Sequence, residues 1–335
     1  MSKTTIPSGY RMPLSNNELQ RAIELIHQEF QHSLCVRLNL HRVSAPLFVD
    51  GRTGLNDDLN GVERPVSFDI PEVGTDGQVV HSLAKWKRLA LKRYEFPAGT
   101  GLYTNMNAIR RDEVVDNLHS IYVDQWDWEK HITPRDRNPL YLKETVRDIV
   151  GAVCDTAAAL RNAFPVLTFK PDRDVYFITT QELEDRFPDL TPSERETEIC
   201  RKHRTVFLMQ IGKTLKSGQR HDGRAPDYDD WELNGDILMW NPVLERSFEL
   251  SSMGIRVDAA ALDRQLTLAG CEARRELPFH KLLLEGKLPL TIGGGIGQSR
   301  LCMLLLGKAH IGEVQASVWD EQTIQACRDA GVILL

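Results

Sequence analysis

The chain has 335 residues, 41% of them apolar and 26% charged, with 41 Lys and Arg set against 47 Asp and Glu for a net charge of −6. Those proportions exclude a disordered or fibrous chain, and the length allows either one large domain or two of about 100–200 residues. The negative balance argues against wholesale binding of a polyanion, because non-specific nucleic-acid affinity comes from basic surfaces that release counterions.

In chain order, Ser15 and Glu18 form an S-x-x-E capping box ahead of Leu19, Ile23, Ile26, Phe30 and Leu34, which predicts a long helix ending before Leu38-Asn39-Leu40. A β-like stretch follows to Pro46, and the Asp-, Gly- and Asn-rich 47–80 reads as loop and hairpin. Residues 82–93 predict a helix rich in Lys85, Lys87, Arg88, Lys92 and Arg93, a charge run that reads first as a solvated face. Two extended runs, Leu102–Arg110 and Ser120–Glu129, joined by a polar loop, predict an antiparallel hairpin. A second long amphipathic helix covers 141–164. Strands at 175–179 and 206–211 are separated by polar helices near 181–186 and 193–202. After an acidic loop, 222–232, come strands at 235–240 and 248–257, a short helix at 259–269, a glycine-rich turn at 293–297 and the apolar helix 301–306. Helices interleaved with hairpins, with no repeated βα unit, predict an α+β fold whose mainly antiparallel sheet is flanked by helices. Residues 1–16 form a polar N-terminal extension, and 17–335 read as a single domain.

No run approaches the roughly 20 apolar residues of a membrane span, and the N-terminus lacks the apolar core of a signal peptide. The six cysteines are widely spaced with no C-x-x-C pair, and the ten histidines show no metal-binding spacing. A reduced, cytoplasmic protein without disulfides or a zinc site is expected.

Three constellations carry chemistry. The run Gly293-Gly-Gly-Ile-Gly-Gln-Ser-Arg300 is neither G-x-G-x-x-G nor a P-loop. It reads either as a ligand-approachable backbone feeding a helix N-terminus with Arg300 as a fixed cation, or as a glycine turn with a surface arginine. On the hairpin, period-2 alternation puts Ile121, Val123, Gln125, Asp127 and Glu129 on one face and Tyr122, Asp124, Trp126 and Trp128 on the other. An amide and carboxylates on a face that could serve a core invite a polar ligand, unless that face is merely a solvated edge. Third, Asp236 with Glu249 and Ser251 on the following strand forms a carboxylate arrangement of the kind that suits Mg²⁺ with substrate phosphates.

Together these pieces resemble the three motifs of class II aminoacyl-tRNA synthetase catalytic cores: a long helix, strand and Pro46; the arginine hairpin Arg110–Glu129; and Gly293–Arg300 with its apolar helix. The resemblance tightens to the asparagine synthetase A family, the ammonia-dependent aspartate ligases. It does so through His81-Ser-Leu-Ala-Lys-Trp-Lys87, Asp124-Gln-Trp-Asp-Trp-Glu129, Arg224-Ala-Pro-Asp-Tyr-Asp-Asp-Trp231, Leu233-Asn-Gly-Asp236, Phe248-Glu-Leu-Ser-Ser-Met-Gly-Ile-Arg256 and Thr291–Arg300, from about residue 17 onward. One departure is that only Glu232 separates Trp231 from Leu233, where the family carries a longer stretch.

The resemblance implies ATP as co-substrate, Mg²⁺, L-aspartate and ammonia as substrates, and an enzyme-bound β-aspartyl-AMP. On it, Arg110 clamps the α-phosphate and reacting carboxylate, and Arg300 the far end of the triphosphate. Gln125 assists where the amide forms. Asp236 and Glu249 hold Mg²⁺. Lys87 meets the α-carboxylate, Asp57, Asp127 and Asp229 the α-ammonium, and Ser251 the substrate. Leu118, Ser120, Val123 and Tyr228 line the nucleotide above Gly294 and Gly297. Asp57 is the first choice to accept the ammonium proton. A homodimer through helix 17–38 and the Pro46 region is implied, with no nucleic-acid or membrane partner. Two rivals stand beside this reading. An aspartyl- or asparaginyl-tRNA synthetase core would need a tRNA-reading domain for which no stretch remains. A non-catalytic paralogue would be expected to have lost Arg110, Asp236, Glu249 or Arg300. Ammonia is expected as donor because no amidotransferase cysteine follows Met1.

Overall fold

Helix α1 (Asn16–Leu38) begins as its capping box requires. Ser15 Oγ accepts from the Glu18 backbone N–H, and the Glu18 carboxylate accepts from the Ser15 backbone. The computed structural model describes residues 4–57 and 63–335, and in it Leu19, Ala22, Ile26, Phe30, Leu34 and Leu38 of this helix form one buried stripe. The chain continues through β1 (Leu40–Arg42), β2 (Phe48–Asp50), β3 (Ser67–Ile70), β4 (Thr75–Val79), α2 (Ala84–Arg93), β5 (Gly101–Ile109), β6 (Tyr122–His131) and α3 (Pro139–Ala163). Next come β7 (Tyr176–Thr179), α4 (Thr180–Arg186), α5 (Pro192–His203), β8 (Thr205–Met209), β9 (Asp229–Asn241) and β10 (Arg246–Arg256). The last part holds α6 (Ala259–Leu268), α7 (Pro278–Leu284), β11 (Thr291–Gly297), α8 (Gln298–Leu305) and α9 (Glu321–Asp329).

Among the described residues, one sheet runs in the order β1-β5-β6-β11-β10-β9-β8-β7, and β2-β4-β3 form a small second sheet. The central strands from β5 to β8 pair antiparallel, whereas β1 with β5 and β7 with β8 are parallel. The sheet is therefore mixed, which corrects the mainly antiparallel expectation at its two edges. The reason is connection length: each edge pair is joined by a crossover containing helices, long enough to bring the chain back in the same direction.

Each face of the sheet has its own core. On one side α1 and α3 cover Trp126, Trp128, Phe207, Ile237, Met253 and Ile296, with the Phe30 and Trp126 rings 4.7 Å apart. On the other, α2, α6 and α7 pack with Leu102, Met106, Ala108 and Val257. The alternation on β6 thus sends its tryptophans into the first core and turns Gln125, Asp127 and Glu129 towards the second face.

Three expectations change. The glycine run is the central strand β11, not a turn, and α8 starts directly at its end. The basic helix α2 is not a solvated face: Lys85, Lys87 and Arg88 are buried. Arg88 donates to the backbone carbonyls of Pro289 and Val257, and the two lysines meet carboxylates. The acidic 222–232 segment is likewise largely interior, with Asp227, Asp229 and Asp230 buried, and β9 runs through Glu232 without interruption. The N-terminal residues from Thr4 onward are docked. Thr5 N–H donates to Asn117 Oδ1 (2.8 Å), and Tyr10 donates its hydroxyl proton to Glu313 Oε2 (2.8 Å).

Candidate active site

Behind α2 and over β6, β11 and β10 lies a cavity of about 520 Å³, closed on one side by the segment 222–228. Lys87, Arg110, Leu118, Ser120, Val123, Gln125, Asp127, Tyr228, Asp229, Glu249, Ser251, Gly294, Gly297 and Arg300 all line it. Asp57 and Asp236 are not part of that lining. Asp57 is buried with its carbonyl 2.9 Å from His81 Nδ1, and Asp236 sits beneath Arg224. A wider cleft of about 1310 Å³ near Arg161, Arg204 and Trp240 carries none of the expected site residues. The smaller, more polar cavity, which gathers the expected residues, is the candidate site.

The floor is shaped by missing side chains. A Cβ on Gly295 would overlap the Gln125 amide, and one on Gly294 would stand 2.6 Å from Met253 Cβ and 2.7 Å from the Ser252 carbonyl oxygen. Glycine is required at 295 so that the Gln125 side chain of β6 can lie across β11, and at 294 because β10 packs too close for a side chain. The α8 N-terminus does not offer all its donors to a ligand. Asp124, on the tryptophan face of β6, accepts from Ser299 N–H (3.0 Å) and Ser299 Oγ (2.6 Å), capping the helix internally.

At one end of the cavity the charges form a closed buried set. Lys87 Nζ donates to the Asp127 carboxylate, to Trp128 O (2.9 Å) and to Gly294 O (3.1 Å), so its three protons are all engaged. Arg256 pairs with Glu129 (Nη2–Oε2 2.8 Å) and with the Asp229 carboxylate. Burial raises Asp127 despite Lys87, whereas the fields of Arg256 and Lys87 overcome burial and hold Glu129 below the usual carboxylate range.

The other end gathers cations around Glu249. Arg300 Nη1 donates to the Glu249 carbonyl (2.9 Å) and lies 3.4 Å from its carboxylate. Arg110 lines the same end, 3.8 Å from Glu113. Burial opposes ionisation of Glu249, but Arg300, Arg224, His119 and Arg110 together hold its carboxyl low. Arg224 donates to Asp236 Oδ1 (2.6 Å) and to the Ser252 hydroxyl. Burial first, then the charge of Glu249, raises Asp236 in spite of Arg224. Among the described residues, no group of three or more His, Cys, Asp or Glu is placed to hold a metal ion. The mutually repelling pair Asp236 and Glu249 nonetheless fits Mg²⁺, which takes one or two protein carboxylates and fills its shell with phosphate oxygens and water.

Sequence reasoning gave no role to Arg256, Arg224 or Asp124. The signal for Arg256 was available, a lone cation ending the apolar run Met253-Gly-Ile before Val257, but its partners lie 127 and 27 residues away in sequence.

The fold is that of class II aminoacyl-tRNA synthetase catalytic cores. The chain superposes on asparaginyl-tRNA synthetase from Pyrococcus horikoshii, solved with asparaginyl-adenylate, with a TM-score of 0.67 and 13% identity over 91% of this chain and 70% of that one. Entamoeba histolytica asparaginyl-tRNA synthetase gives a TM-score of 0.63 at 13% identity over 90% of this chain and 67% of that one. At such identities the likeness is one of fold. The sequence goes further: the pattern of the aspartate-ammonia ligase family matches residues 17–331. The chain is 60% identical over 331 residues to an aspartate–ammonia ligase of Clostridium tetani (98% of this chain, 97% of the relative). It is 59% identical over 332 residues to one of Lactobacillus johnsonii (98% and 99%). The chain belongs to the aspartate–ammonia ligase family.

Proposed function

We propose that this chain makes L-asparagine from L-aspartate and ammonia at the expense of ATP, by way of β-aspartyl-AMP. The observation that carries the reading is a single cavity with guanidinium groups (Arg110, Arg300) at one end and paired buried charges (Lys87–Asp127, Arg256–Asp229) at the other. The first end suits a triphosphate, the second the zwitterionic part of an amino acid.

In the first step a β-carboxylate oxygen of aspartate attacks the α-phosphorus, the new P–O bond forms, and the bond to pyrophosphate breaks. Two anions must touch, so fixed cations are needed where charge gathers. Arg110 bridges α-phosphate and carboxylate with its planar fork, and Arg300 neutralises the outer phosphates. Asp236 and Glu249 would hold Mg²⁺, which when bound supplies charge neutralisation to the phosphates. In the second step ammonia forms the C–N bond, the carbonyl carbon releases AMP with its bridging oxygen, and a proton passes to a carboxylate or to water. Gln125 orients the carbonyl. Lys87 sets the positive field for the α-carboxylate, and Asp127 and Asp229 receive the α-ammonium. Asp57, behind the wall, adds a negative field that favours ammonium. Leu118, Ser120, Val123 and Tyr228 line the nucleotide, with Ser251 beside the substrate.

We read 17–335 as one catalytic unit and the chain as a cytoplasmic homodimer joined through α1 and the Pro46 region. Exposed Val36, Leu47 and Phe48 support that surface, and no described helix is long and apolar enough to cross a membrane. The test incubates purified protein with ATP, Mg²⁺, L-aspartate and ammonium and follows products by NMR. Equal amounts of asparagine, AMP and pyrophosphate are expected. ADP in place of AMP, or charged tRNA without free asparagine, would overturn the reading.

A further inference from the structure

Behind the amino-acid end of the cavity lies a second buried charge cluster that the chemistry above does not use. Asp227 is fully buried, and one of its oxygens, Oδ2, faces three donors: Lys85 Nζ (3.2 Å), Arg274 Nη1 (3.0 Å) and His280 Nε2 (2.9 Å). Those donors come from α2, from the segment before α7, and from α7 itself. Asp227 belongs to the segment that carries Arg224, Tyr228 and Asp229 into the cavity, yet it is itself not part of the lining.

The arrangement ties together the parts that form this end of the site. Helix α2 carries Lys85 and Lys87 two positions apart, roughly 200° around a helix of 3.6 residues per turn. Lys87 therefore grips the sheet at Asp127, while Lys85 grips the 222–228 segment at Asp227. The loop ahead of Asp57 joins the same cluster, since Gly54 adopts φ +73° and a Cβ there would stand 2.9 Å from Leu277 Cβ and 3.4 Å from His280 Nδ1. A buried carboxylate is costly unless paired, and removing the charge strands three donors in a dry site. The cations hold its carboxyl well below the usual range despite burial.

We infer that Asp227 is a positioning residue for the amino-acid half of the reaction: its contacts to Lys85, Arg274 and His280 fix Asp229 and Lys87 relative to one another. The inference rests on the ligase reading. The ion pairs of Asp227 run to Lys85, Arg274 and His280 and not to Arg110, Arg300 or Glu249, and its segment meets the phosphate end through Arg224 and Tyr228, so a loosened cluster should affect aspartate far more than ATP. Misplacing a binding group by about 1 Å can cost up to ~10²-fold.

The test uses the full chain with Asp227→Asn and Lys85→Gln, with aspartate and ATP varied separately, and calorimetric binding of L-aspartate alone. For Asp227→Asn, KM and Kd for aspartate should rise about tenfold or more while KM for ATP stays within about twofold. Lys85→Gln, which leaves two partners in place, should move aspartate the same way by less. A merely structural residue would lower the active fraction, and hence kcat, without this split. Unchanged aspartate binding, or equal rises for both substrates, would overturn the inference. If Asp227→Asn does not fold, Lys85→Gln decides by the same criterion. If the wild-type chain makes no asparagine, the ligase reading falls, while the comparison of aspartate Kd values still decides the positioning role.

Discussion

Arg256 on β10 and Glu129 on β6 meet across an intervening strand, Nε to Oε1 at 3.0 Å and Nη2 to Oε2 at 2.8 Å. The strand between them is β11, and the residue over which they meet is Gly293. A Cβ at that position would overlap the Glu129 carboxylate and stand 2.7 Å from Arg256 Nη2. Gly293→Ala should therefore break a fully buried ion pair. The expected loss is about 3–5 kcal/mol of stability, the range for separating a buried pair, read from the urea midpoint at unchanged slope. Wild-type stability in that variant would show that the pair can re-form around a methyl group.

On the proposed reading, Arg110 and Arg300 act where phosphate oxygens crowd. Replacing either by Ala should lower kcat/KM by ~10²-fold or more, the scale of one lost transition-state donor. Lysine at position 110 should restore only part, because an ammonium cannot present a planar fork. Aspartate binding measured alone should barely change in Arg300→Ala, whose proposed contacts are to phosphate only. Turnover close to wild type in Arg110→Ala contradicts its role.

Asp236→Asn and Glu249→Gln should each raise the Mg²⁺ concentration needed for half-maximal rate by about tenfold or more, one lost carboxylate ligand being worth at least one factor of ten. Fluorescence titration with a nucleotide analogue gives the independent readout: metal-free affinity should stay flat or rise as a negative charge is removed. A Mg²⁺ requirement equal to wild type in both variants would remove these residues as ligands.

His310 is buried, and its Nδ1 accepts the Gly312 N–H at 3.0 Å, which only a neutral ring can do. Burial holds its pKa down to about 4, against weaker opposing fields from Asp116 and Asp320. The unfolded chain takes up that proton first as pH falls, so stability is complete above about 6.5 and drains away towards pH 4. Urea midpoints across that window should fall by an amount worth about 1–3 kcal/mol, and His310→Gln should flatten part of the slope. An identical slope in the variant would place the titration elsewhere.

How far the sequence exposed the site depended on the range of each interaction. The cap at Ser15 and Glu18, the stripe of α1 and the two faces of β6 are local patterns, and all three appear as expected. Lys85 and Lys87 looked like a solvated charge run because their carboxylates lie 142 and 40 residues away. Gly293–Gly297 looked like a turn because glycine marks both turns and crowded strands, and only the neighbours on β6 and β10 distinguish the two. The parallel edges β1 and β7 are short strands whose direction is set by their crossovers rather than by their own residues. The cavity itself was legible through motif resemblance, which brought its lining residues together before any contact was known.

The central claim is that the aspartate β-carboxylate bonds to the α-phosphorus before nitrogen arrives. It is tested most directly with aspartate carrying ¹⁸O in that carboxylate, turned over with ATP, Mg²⁺ and ammonium, and the nucleotide examined by ³¹P NMR and mass spectrometry. Transfer of one labelled oxygen to the phosphate of AMP, with unlabelled pyrophosphate, is the predicted result. Label in inorganic phosphate alongside ADP, or unlabelled AMP from labelled aspartate, would contradict it.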